Sequence, residues 1–310
     1  TVTGGTPRKA KVARATDDSF AALPEPVHAS CEHPYNILIN GIGGTGVITI
    51  GALLGMAGHL EGKGVSVLDM TGMSQKNGSV TSHVRIAPTP EAIRAQRIAT
   101  GEADLVLGCD MLTAGAQDAI GKMRPGRTHA VINTHEQPTG HFAQQRDWQY
   151  PVDDVEALIA ESVGGNVDYV DATRLATALM GDSIAANLFM LGYAYQKGFL
   201  PLSEAAILRA IELNGVAIDA NQRAFRWGRR AAFDLKAVER AAAPAQSVTI
   251  QMPESLATRV KRRVEFLTGY QNAACAAQYA ALVDEVKAAE AKLGKTDKLA
   301  KAVANSLFKL

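Results

Sequence analysis

The clearest chemical signal in the chain is a run of six residues, GIGGTG, from Gly41 to Gly46. It joins an apolar stretch to a helix-like stretch. Gly41 would allow a tight strand-to-helix turn, Gly43 the close approach of a ligand or backbone, and Gly46 the packing of helix on sheet. Gly44 adds a position without a side chain, and Thr45 could cap the helix. Free N–H groups at the start of such a helix attract anions such as phosphate.

An acidic residue, Asp69, ends the next strand-like run, VSVLD. A dinucleotide fold places its ribose-binding carboxylate about 20 residues beyond the glycines, which is where Asp69 lies. A lone G-x-G-x-x-G is nevertheless a weak signal. From these residues alone, binding of NAD or FAD and simple backbone packing stay equally open.

The residues after Asp69 do not fit a simple dinucleotide fold, in which the second strand leads into a helix. Here a polar loop precedes another strand-like run, TSHVRIA. Long polar loops between strands often carry binding or catalysis, and a polar-tipped hairpin is the alternative. Lys76 could meet an anion. The other polar or glycine positions of the loop are Gly72, Ser74, Gln75, Asn77, Gly78 and Ser79.

The elements that must position these residues alternate between strand and helix. Apolar runs rich in Val, Ile and Leu predict strands at 36–40, 65–70, 81–87, 104–109, 128–133 and 167–171. Helices are predicted at about 45–62, 91–98, 111–121, 152–162 and 172–180. This order predicts an α/β fold with a mostly parallel, Rossmann-like sheet and helices on both faces.

The second half of the chain reads as helical. Helices are expected from Ser183 to about Glu239, one of them capped by Ser203. We expect a linker at 1–34, an α/β domain at 35–240, a linker at 241–253, and at 254–310 the start of a helical domain that continues beyond the last residue. His83, inside a strand, is expected in a core or interface, and Asp171 and Asp182 as a helix cap and a turn residue.

Composition excludes several classes of protein. The net charge of +1 and the 47% hydrophobic content are ordinary for a globular domain and give no field for nucleic acid. No apolar run approaches the ~20 residues of a membrane span. Three distant cysteines, Cys31, Cys109 and Cys275, favour a reducing, cytoplasmic compartment and oppose a metal site built by this chain alone. Cys31 with His28 and His33 reads as a loop.

Two segments together resemble the gamma domain of the 2-oxoacid:ferredoxin oxidoreductases: NGIGGTGV at 40–47 and KNGSVTSHVRI at 76–86. The form MSQKNGSVTSHVRI is most similar to the indolepyruvate:ferredoxin oxidoreductases of the long fused bacterial type. A third match, DSIAANLFMLGYAYQKGFLPLSEAAILRAIE at 182–212, places Asn187, Leu191 and Gly192 at the family's N-x-x-x-L-G positions. Asn77 stands where the family often has glycine, and Asn tolerates a left-handed backbone.

The resemblance implies the oxidative decarboxylation of a 2-oxoacid, with thiamine diphosphate and Mg, [4Fe-4S] clusters, ferredoxin as electron acceptor and coenzyme A as acyl acceptor. This sequence carries neither the cluster cysteines nor a thiamine motif, so the resemblance places them on other domains of the same polypeptide. The fragment would then be inert alone, with no catalytic residue or metal ligand, in an enzyme that forms homo-oligomers.

In such enzymes the gamma domain lies near the active site and is associated with coenzyme A. The resemblance therefore implies cofactor contacts from two groups of residues: Gly41, Gly43, Gly44, Thr45 and Gly46 of the turn, and Ser74, Gln75, Lys76, Asn77, Gly78 and Ser79 of the loop. Two alternatives remain. A free-standing NAD(P)-binding oxidoreductase predicts a helix after Asp69, and a structural docking domain predicts a packed turn without a ligand.

Overall fold

The computed structural model describes residues 23–72, 78–136, 151–243, 255–294 and 297–308. The chain divides into two compact units, Thr1–Pro244 and Ala245–Leu310. Among the described residues no helix is long and apolar enough to cross a membrane.

The first unit is built on a mixed sheet. Its described strands are Tyr35–Ile42 (β1), Gly64–Thr71 (β2), Ser79–Ala87 (β3), Leu105–Gly108 (β4), His129–Asn133 (β5) and Val167–Val170 (β6). They lie in the order β2-β3-β1-β4-β5-β6. β1, β4, β5 and β6 are parallel, whereas β3 is antiparallel to both of its neighbours. The mostly parallel sheet and all six predicted strands are thereby confirmed.

Helices cover both faces of this sheet. In the first unit they are Val47–Leu60 (α1), Met111–Ala114 (α2), Gln117–Ile120 (α3), Val152–Ser162 (α4), Ala172–Met180 (α5), Ala186–Gln196 (α6), Glu204–Asn214 (α7), Ile218–Phe233 (α8) and Leu235–Ala242 (α9). α1 packs on β2 and β3 through a glycine face, since a methyl group on Gly55 or Gly58 would meet Val67 or Val65. The predicted Ser203 cap is confirmed, because its hydroxyl accepts from the Ala206 amide.

The helix predicted at 91–98 is wrong. Only a 3-10 turn forms, Pro90–Ala92, and Ile93 has an extended backbone. Tertiary hydrogen bonds hold the segment instead, from Arg85 Nη1 to the Ala95 carbonyl (2.8 Å) and from the Ile98 amide to His83 Nδ1 (3.1 Å).

The helix predicted at 111–121 is interrupted. It forms as α2 and α3, with an extended residue, Ala116, between them. Gly115 ends α2 where the chain passes close to Val155 of α4, at a distance that leaves no room for a side chain. Close packing on α4 therefore outweighs the tendency of the apolar pattern to continue as one helix.

Helices α6 and α8 cross at a pair of glycines. A methyl group on Gly192 would collide with the carbonyl of Phe225, and one on Gly228 with the carbonyl of Phe189. The backbones therefore touch at this crossing, which fixes α6 against the rest of the unit.

Residues before β1 pack on the same helices. The guanidinium of Arg229, in α8, is buried and pairs with Glu204 (2.5 Å) and Glu25 (3.4 Å) while lying over the ring of Tyr195. Gln196 also donates to the Pro24 carbonyl at 2.7 Å. These contacts hold residues 24–25 of the chain against the α/β unit.

The second unit contains three described helices, Leu256–Tyr270 (α10), Ala273–Leu293 (α11) and Lys298–Leu307 (α12). Ser255 and Asn272 cap α10 and α11 through their side chains. Leu256, Tyr279 and Val283 form the core with Ala300 and Ala304. Val260, Val264 and Leu267 of α10 pack against this core, whereas Leu293, the last residue of α11, is exposed.

Candidate functional site

The candidate site lies where the chain changes direction across the sheet. From β1 the chain builds β2 and β3 on one side, and it then returns to the other side of β1 to form β4. In open α/β sheets, ligands bind outside the carboxyl ends of the strands at such a switch point. β3 runs the opposite way, so its amino end, at Ser79, lies at this same edge, opposite Ile42.

The glycine turn and the polar loop meet there. The amide of Gly43 donates to the carbonyl of Gly78 at 2.7 Å. A methyl group on Gly43 would lie 3.3 Å from that carbonyl oxygen, so the close approach that Gly43 allows is made by protein backbone. Gly41 lacks room for a side chain beside Val47 and Cys109.

The remaining turn residues have different roles. Gly44 has a φ of +87° and nothing within 4 Å of an added methyl group, so its open side faces empty space. The amide and the hydroxyl of Thr45 both donate to the carbonyl of Ile42, at 3.3 and 2.7 Å. Gly46, with a φ of 98°, begins α1 without a side-chain cap, so the predicted cap from Thr45 does not form. Two of the amides that a phosphate would need, those of Gly43 and Thr45, are therefore already bonded.

A crevice of about 400 Å³ opens beside this turn. It is lined by residues that follow β1, β4, β5 and β6 and by the start of α6: Gly44, Thr45, Cys109, Asp110, Asn133, His135, Thr173, Asp182, Ser183, Ile184, Ala186 and Asn187. Its volume lies in the ~300–1,000 Å³ range of small-molecule sites.

Asn187 connects α6 to the turn. Its side-chain amide donates to the carbonyl of Thr45 at 2.8 Å, and the residue is buried. This bond explains why an asparagine stands at the first position of the N-x-x-x-L-G pattern. Gly192, at the last position, makes the crossing with α8 that holds the same helix in place.

Asn133 organises the opposite wall. Its side-chain nitrogen donates to the Cys109 carbonyl (3.1 Å) and to the Thr173 hydroxyl (2.8 Å), while its oxygen accepts from the Ala172 amide (3.1 Å). One side chain thus ties together the segments that follow β4, β5 and β6.

Asp110 and Cys109, which follow β4, also line the crevice. Asp110 is 4% exposed; its Oδ1 caps α2 by accepting from the Thr113 amide at 2.8 Å, and its Oδ2 has no partner in the described part of the chain. Burial raises the pKa of this carboxyl. Burial, with the neighbouring Asp110, also raises the pKa of Cys109 to about 12. The Cys109 thiol is therefore held protonated, as a wall of the crevice rather than a nucleophile.

His135 lies at the opening of the crevice and is partly exposed. Its Nδ1 lies 3.8 Å from Asp171 Oδ1, and Asp171 also accepts from the amide and side chain of Arg174. Asp171 caps α5 and Asp182 accepts from the Ile184 amide, so both are cap and turn residues, as predicted.

The structure brings together only some of the predicted site residues. Gly78 and Ser79 lie beside the turn, whereas Ser74, Gln75, Lys76 and Asn77 lie outside the described residues. Asp69 belongs to β2, which β3 separates from β1, so it lies about 10 Å from the strand that leads into the glycine turn. β2 continues to Thr71 and pairs directly with β3, so the helix that an NAD(P) enzyme would place after Asp69 is absent from the described residues.

Two expectations lie away from the crevice. His83 is fully buried, as predicted, and accepts from the Ile98 amide. Cys31, with His28 and His33, forms no metal cluster, and no group of three such ligands occurs in the ranges that the structure describes.

Sequence reasoning missed Asp110, Asn133, His135 and Thr173. The available signal was their position, since each ends or closely follows a buried run predicted as a strand. The carboxyl ends of parallel strands meet at one edge of the sheet.

A known protein family matches most of the α/β unit. Residues 36–231 match the family model of the pyruvate ferredoxin/flavodoxin oxidoreductases. The chain belongs to this family. The resemblance noted in the glycine turn, the loop and the 182–212 segment is thereby confirmed.

Relatives of this oxidoreductase domain include two archaeal proteins described as indolepyruvate oxidoreductase subunit IorB. The protein from Thermococcus kodakarensis is 31% identical over 205 residues, covering 65% of this chain and 97% of the relative. The protein from Methanothermobacter thermautotrophicus is 31% identical over 202 residues, covering 64% and 98%. The chain is thus homologous to a subunit of indolepyruvate oxidoreductase.

A solved structure shares the fold of the oxidoreductase domain. It is the 2-oxoglutarate:ferredoxin oxidoreductase from Magnetococcus marinus with 2-oxoglutarate, coenzyme A and succinyl-CoA bound. The TM-score is 0.50 at 18% identity, over 65% of this chain and 31% of that one. Residues 256–310 match a separate model, described as a family of unknown function.

Proposed function

We propose that this chain is the gamma-type part of a thiamine-diphosphate-dependent indolepyruvate:ferredoxin oxidoreductase, which decarboxylates the 2-oxoacid and forms the acyl-CoA. The observation that carries the proposal is the meeting of the glycine turn and the polar loop at the switch point, through the bond from Gly43 to Gly78. The two segments that resemble the family most therefore meet each other, and the turn lines a polar crevice at Gly44 and Thr45.

The cofactors divide between this chain and its partners. Thiamine diphosphate, Mg and the [4Fe-4S] clusters belong to other domains, which we place on the same polypeptide, as in the fused bacterial enzymes. Ferredoxin accepts the electrons and the whole enzyme forms homo-oligomers. The fragment alone is inactive. The α/β domain of residues 35–240 contributes to the active site, and residues 254–310 begin the helical domain.

Coenzyme A is the ligand that we assign to the crevice. The crevice is large enough for part of coenzyme A and offers an open face at Gly44. Within this proposal Gly41, Gly43 and Gly46 shape the turn, Gly44 and Thr45 border the ligand, and the loop residues Ser74 to Ser79 contribute cofactor contacts.

The test is an assay of the fused enzyme. The natural gene that encodes this chain is expressed anaerobically with thiamine and iron, and reduction of a viologen dye by indolepyruvate is followed with and without coenzyme A. Residues 74–77 are exchanged for a Gly/Ser segment of equal length, so that Gly78 still accepts from Gly43. We expect the dye reduction that depends on coenzyme A to fall at least tenfold. Lys76→Gln alone should lower it, whereas Lys236→Gln, an exposed lysine that does not line the crevice, should not.

One observation favours a second candidate, a docking domain without a ligand: the closest contact of Gly43 is with protein backbone. Calorimetric titration of coenzyme A into the fused enzyme separates the two. Saturable binding that Gly44→Ala weakens supports the first proposal. An enzyme that turns over indolepyruvate but shows no effect of crevice substitutions supports the docking domain.

A further inference from the structure

One edge of the sheet is open. β2 is the outermost strand on its side, and no other described strand pairs with its outer edge. The amide of Gly72 donates to the carbonyl of Ser79, so the even-numbered residues of β2 direct their backbone groups towards β3. The residues that direct their N–H and C=O groups outward are Val65, Val67, Asp69 and Thr71. Such a row of groups is a ready template for another strand.

The composition of β2 does not discourage such pairing. Natural edge strands are often protected by lysine, proline or a β-bulge. β2, with the sequence GVSVLDMT, contains neither lysine nor proline, and its register with β3 is unbroken from Gly64 to Thr71. Its one charged residue is Asp69. The whole edge is therefore competent to bind a strand.

Helix α1 carries an apolar stripe beside this edge. The helix, VITIGALLGMAGHL, contains no Lys, Arg, Asp or Glu. Ile48, Ala52 and Met56 are exposed, and their spacing of four residues places them on one face. Surface helices ordinarily carry charged or polar residues on their outer side. An uncharged helix with an exposed apolar face is typical of a helix that another surface covers.

The stripe lies on the flank of α1 that faces the open edge. Gly51 points to the sheet, because a methyl group there would touch both Ser82 of β3 and Val67 of β2. Its neighbours Ile50 and Ala52 project about 100° to either side of that direction, so they mark the two flanks of the helix. Ile50 is buried inside the unit, whereas Ala52 is exposed. The stripe therefore continues the surface formed by the edge of β2.

A single two-fold axis would pair the edge of β2 with itself. Antiparallel pairing uses all four outward residues when the axis passes through Leu68. Val65 then lies opposite Thr71 of the second copy, and Val67 lies opposite Asp69 of the second copy. Leu68 faces its own copy as a non-hydrogen-bonded pair. The two Asp69 carboxylates are not directly opposite each other in this register, so like charges do not oppose the pairing.

The same axis would bring the two α1 helices together at a small residue. A methyl group on Gly51 would lie 3.4 Å from Val67, so an axis through Leu68 passes α1 near Ala52. Since α1 straddles β2 and β3 and strands are spaced by ~4.8 Å, the two helix axes would lie about 10 Å apart. That separation is typical of packed helices.

We propose that two copies of this chain associate through β2 and α1, joining their six-stranded sheets into one sheet of twelve strands, with Ile48 beside Met56 of the second copy. A contact as long as β2 and two layers deep buries roughly 1,000 Å² in total, which suits a reversible dimer. This arrangement locates the self-association that the proposed function includes, but it does not depend on the cofactors.

The first test is analytical ultracentrifugation of the full chain over a range of concentrations, where we expect a reversible equilibrium between monomer and dimer. Asp69→Pro removes one outward N–H but no bond to β3, so it should raise the Kd at least about tenfold. Asp69→Asn removes the same charge and keeps the N–H, so it should leave the Kd within about twofold.

A second pair of variants tests the helix contact. Ala52→Lys places two like charges at the crossing of the helices and should also raise the Kd at least about tenfold. Ala157→Lys alters an exposed alanine of α4, outside the proposed interface, and should have no effect. Because both alanines are exposed in the single chain, both variants should fold.

A cysteine at the axis tests the register. The Cα atoms of a non-hydrogen-bonded pair lie about 4.5 Å apart, a distance that a disulfide can span. Leu68→Cys should therefore cross-link two copies under mild oxidation. In Ser66→Cys the two thiols would be separated by about four residues along the strands, or ~13 Å, and should not cross-link. The second variant also controls for the three native cysteines.

A chain that stays monomeric would overturn the inference, and so would a dimer that neither Asp69→Pro nor Ala52→Lys weakens. Cross-linking of Ser66→Cys but not of Leu68→Cys would overturn it as well. Each of these results would leave the proposed reaction in place, since turnover of indolepyruvate is measured separately. A fused enzyme that dimerises as expected but does not turn over indolepyruvate would remove the proposed function alone.

Discussion

The side-chain nitrogen of Asn187 lies 2.8 Å from the carbonyl oxygen of Thr45, a residue 142 positions earlier in the chain. Asn187 lies in the first turn of α6, the helix that crosses α8 at a pair of glycines, and Thr45 belongs to the turn that precedes α1. This one bond sets the position of the open turn relative to the α6 wall of the crevice.

Replacing Asn187 with aspartate should disturb that position with little change in volume. The carboxylate would face the Thr45 carbonyl as a second acceptor, and the buried site would lose a bond. We expect the free energy of unfolding of the first unit to fall by about 1–3 kcal/mol. In the whole enzyme that we propose, the KM for coenzyme A should rise more than kcat falls.

Asn221→Asp provides the comparison for Asn187→Asp. Asn221 makes the same kind of bond, to the Val216 carbonyl at 2.8 Å, but at an exposed site. The Asn221→Asp substitution should have a smaller effect on stability and no effect on the KM for coenzyme A. Equal effects of the two substitutions on the KM would show that Asn187 acts only through stability.

Gly44→Ala should obstruct the crevice. An alanine there must adopt a φ of +87°, and its methyl group would extend into open space at the edge of the site. We expect coenzyme A to bind at least tenfold more weakly, with a loss of stability of about 1 kcal/mol from the left-handed backbone. Calorimetric titration and thermal unfolding measure the two effects separately.

Gly126→Ala is the control for backbone strain. Gly126 has a φ of +77° and nothing within 4 Å of an added methyl group, but it lies at the far end of the sheet, before β5. The two variants should lose similar stability. If Gly126→Ala also weakened binding, the effect at Gly44 would have to be attributed to strain rather than to obstruction.

The strands could be predicted from sequence because their signal is local. Buried runs of Val, Ile and Leu mark β1, β4 and β5 whatever their neighbours are. The insertion of β3 between β2 and β1 could not be predicted in this way, because strand order depends on contacts between distant segments. That order moves Asp69 away from the glycine turn and removes the basis for its predicted ribose contact.

Contacts between distant segments also explain why one helix was predicted wrongly and why several residues of the crevice were not predicted. Residues 91–98 have apolar spacing compatible with a helix, but bonds to Arg85 and His83 on β3 hold them in another path. Asn133 reaches segments after β4 and β6, and one oxygen of Asp110 has no partner within the described ranges. Neither property can be read from the residues next to them in the chain.

The crossing of α6 and α8 should tolerate no side chain at its centre. Gly192→Ala would place a methyl group against the carbonyl of Phe225, and backbone atoms cannot rotate away as a side chain can. We expect a loss of about 2–3 kcal/mol in the unfolding free energy of the first unit. Coenzyme A binding should weaken in parallel, since the same helix carries Asn187.

Gly55→Ala in α1 is the matched substitution. Alanine favours a helix over glycine by about 1 kcal/mol at either position. At position 55, however, the methyl group would lie 2.9 Å from Cγ2 of Val67, a side chain that can rotate away. The substitution should be close to neutral. A similar loss at both positions, by chemical denaturation, would contradict the argument that the backbone contact decides the cost at Gly192.

His83 should make the first unit sensitive to mild acid. Burial, together with the nearby positive charge of Arg97, lowers the pKa of this imidazole from 6.5 to about 4 in the folded chain. Between these two values the unfolded chain binds a proton that the folded chain does not. The free energy of unfolding is therefore unaffected by this group above pH 6.5. It falls as the pH drops towards 4, by at most about 3 kcal/mol.

His83→Asn should flatten that dependence. The asparagine oxygen can still accept from the Ile98 amide, which now bonds His83 Nδ1, but the side chain no longer titrates. The variant should be less stable than the unaltered chain at pH 7, because it fills less volume, and the difference should shrink as the pH approaches 4. The exposed His33→Asn should follow the unaltered chain throughout, and parallel curves for all three, in denaturant titrations from pH 7 to 4, would show that His83 does not control the acid response.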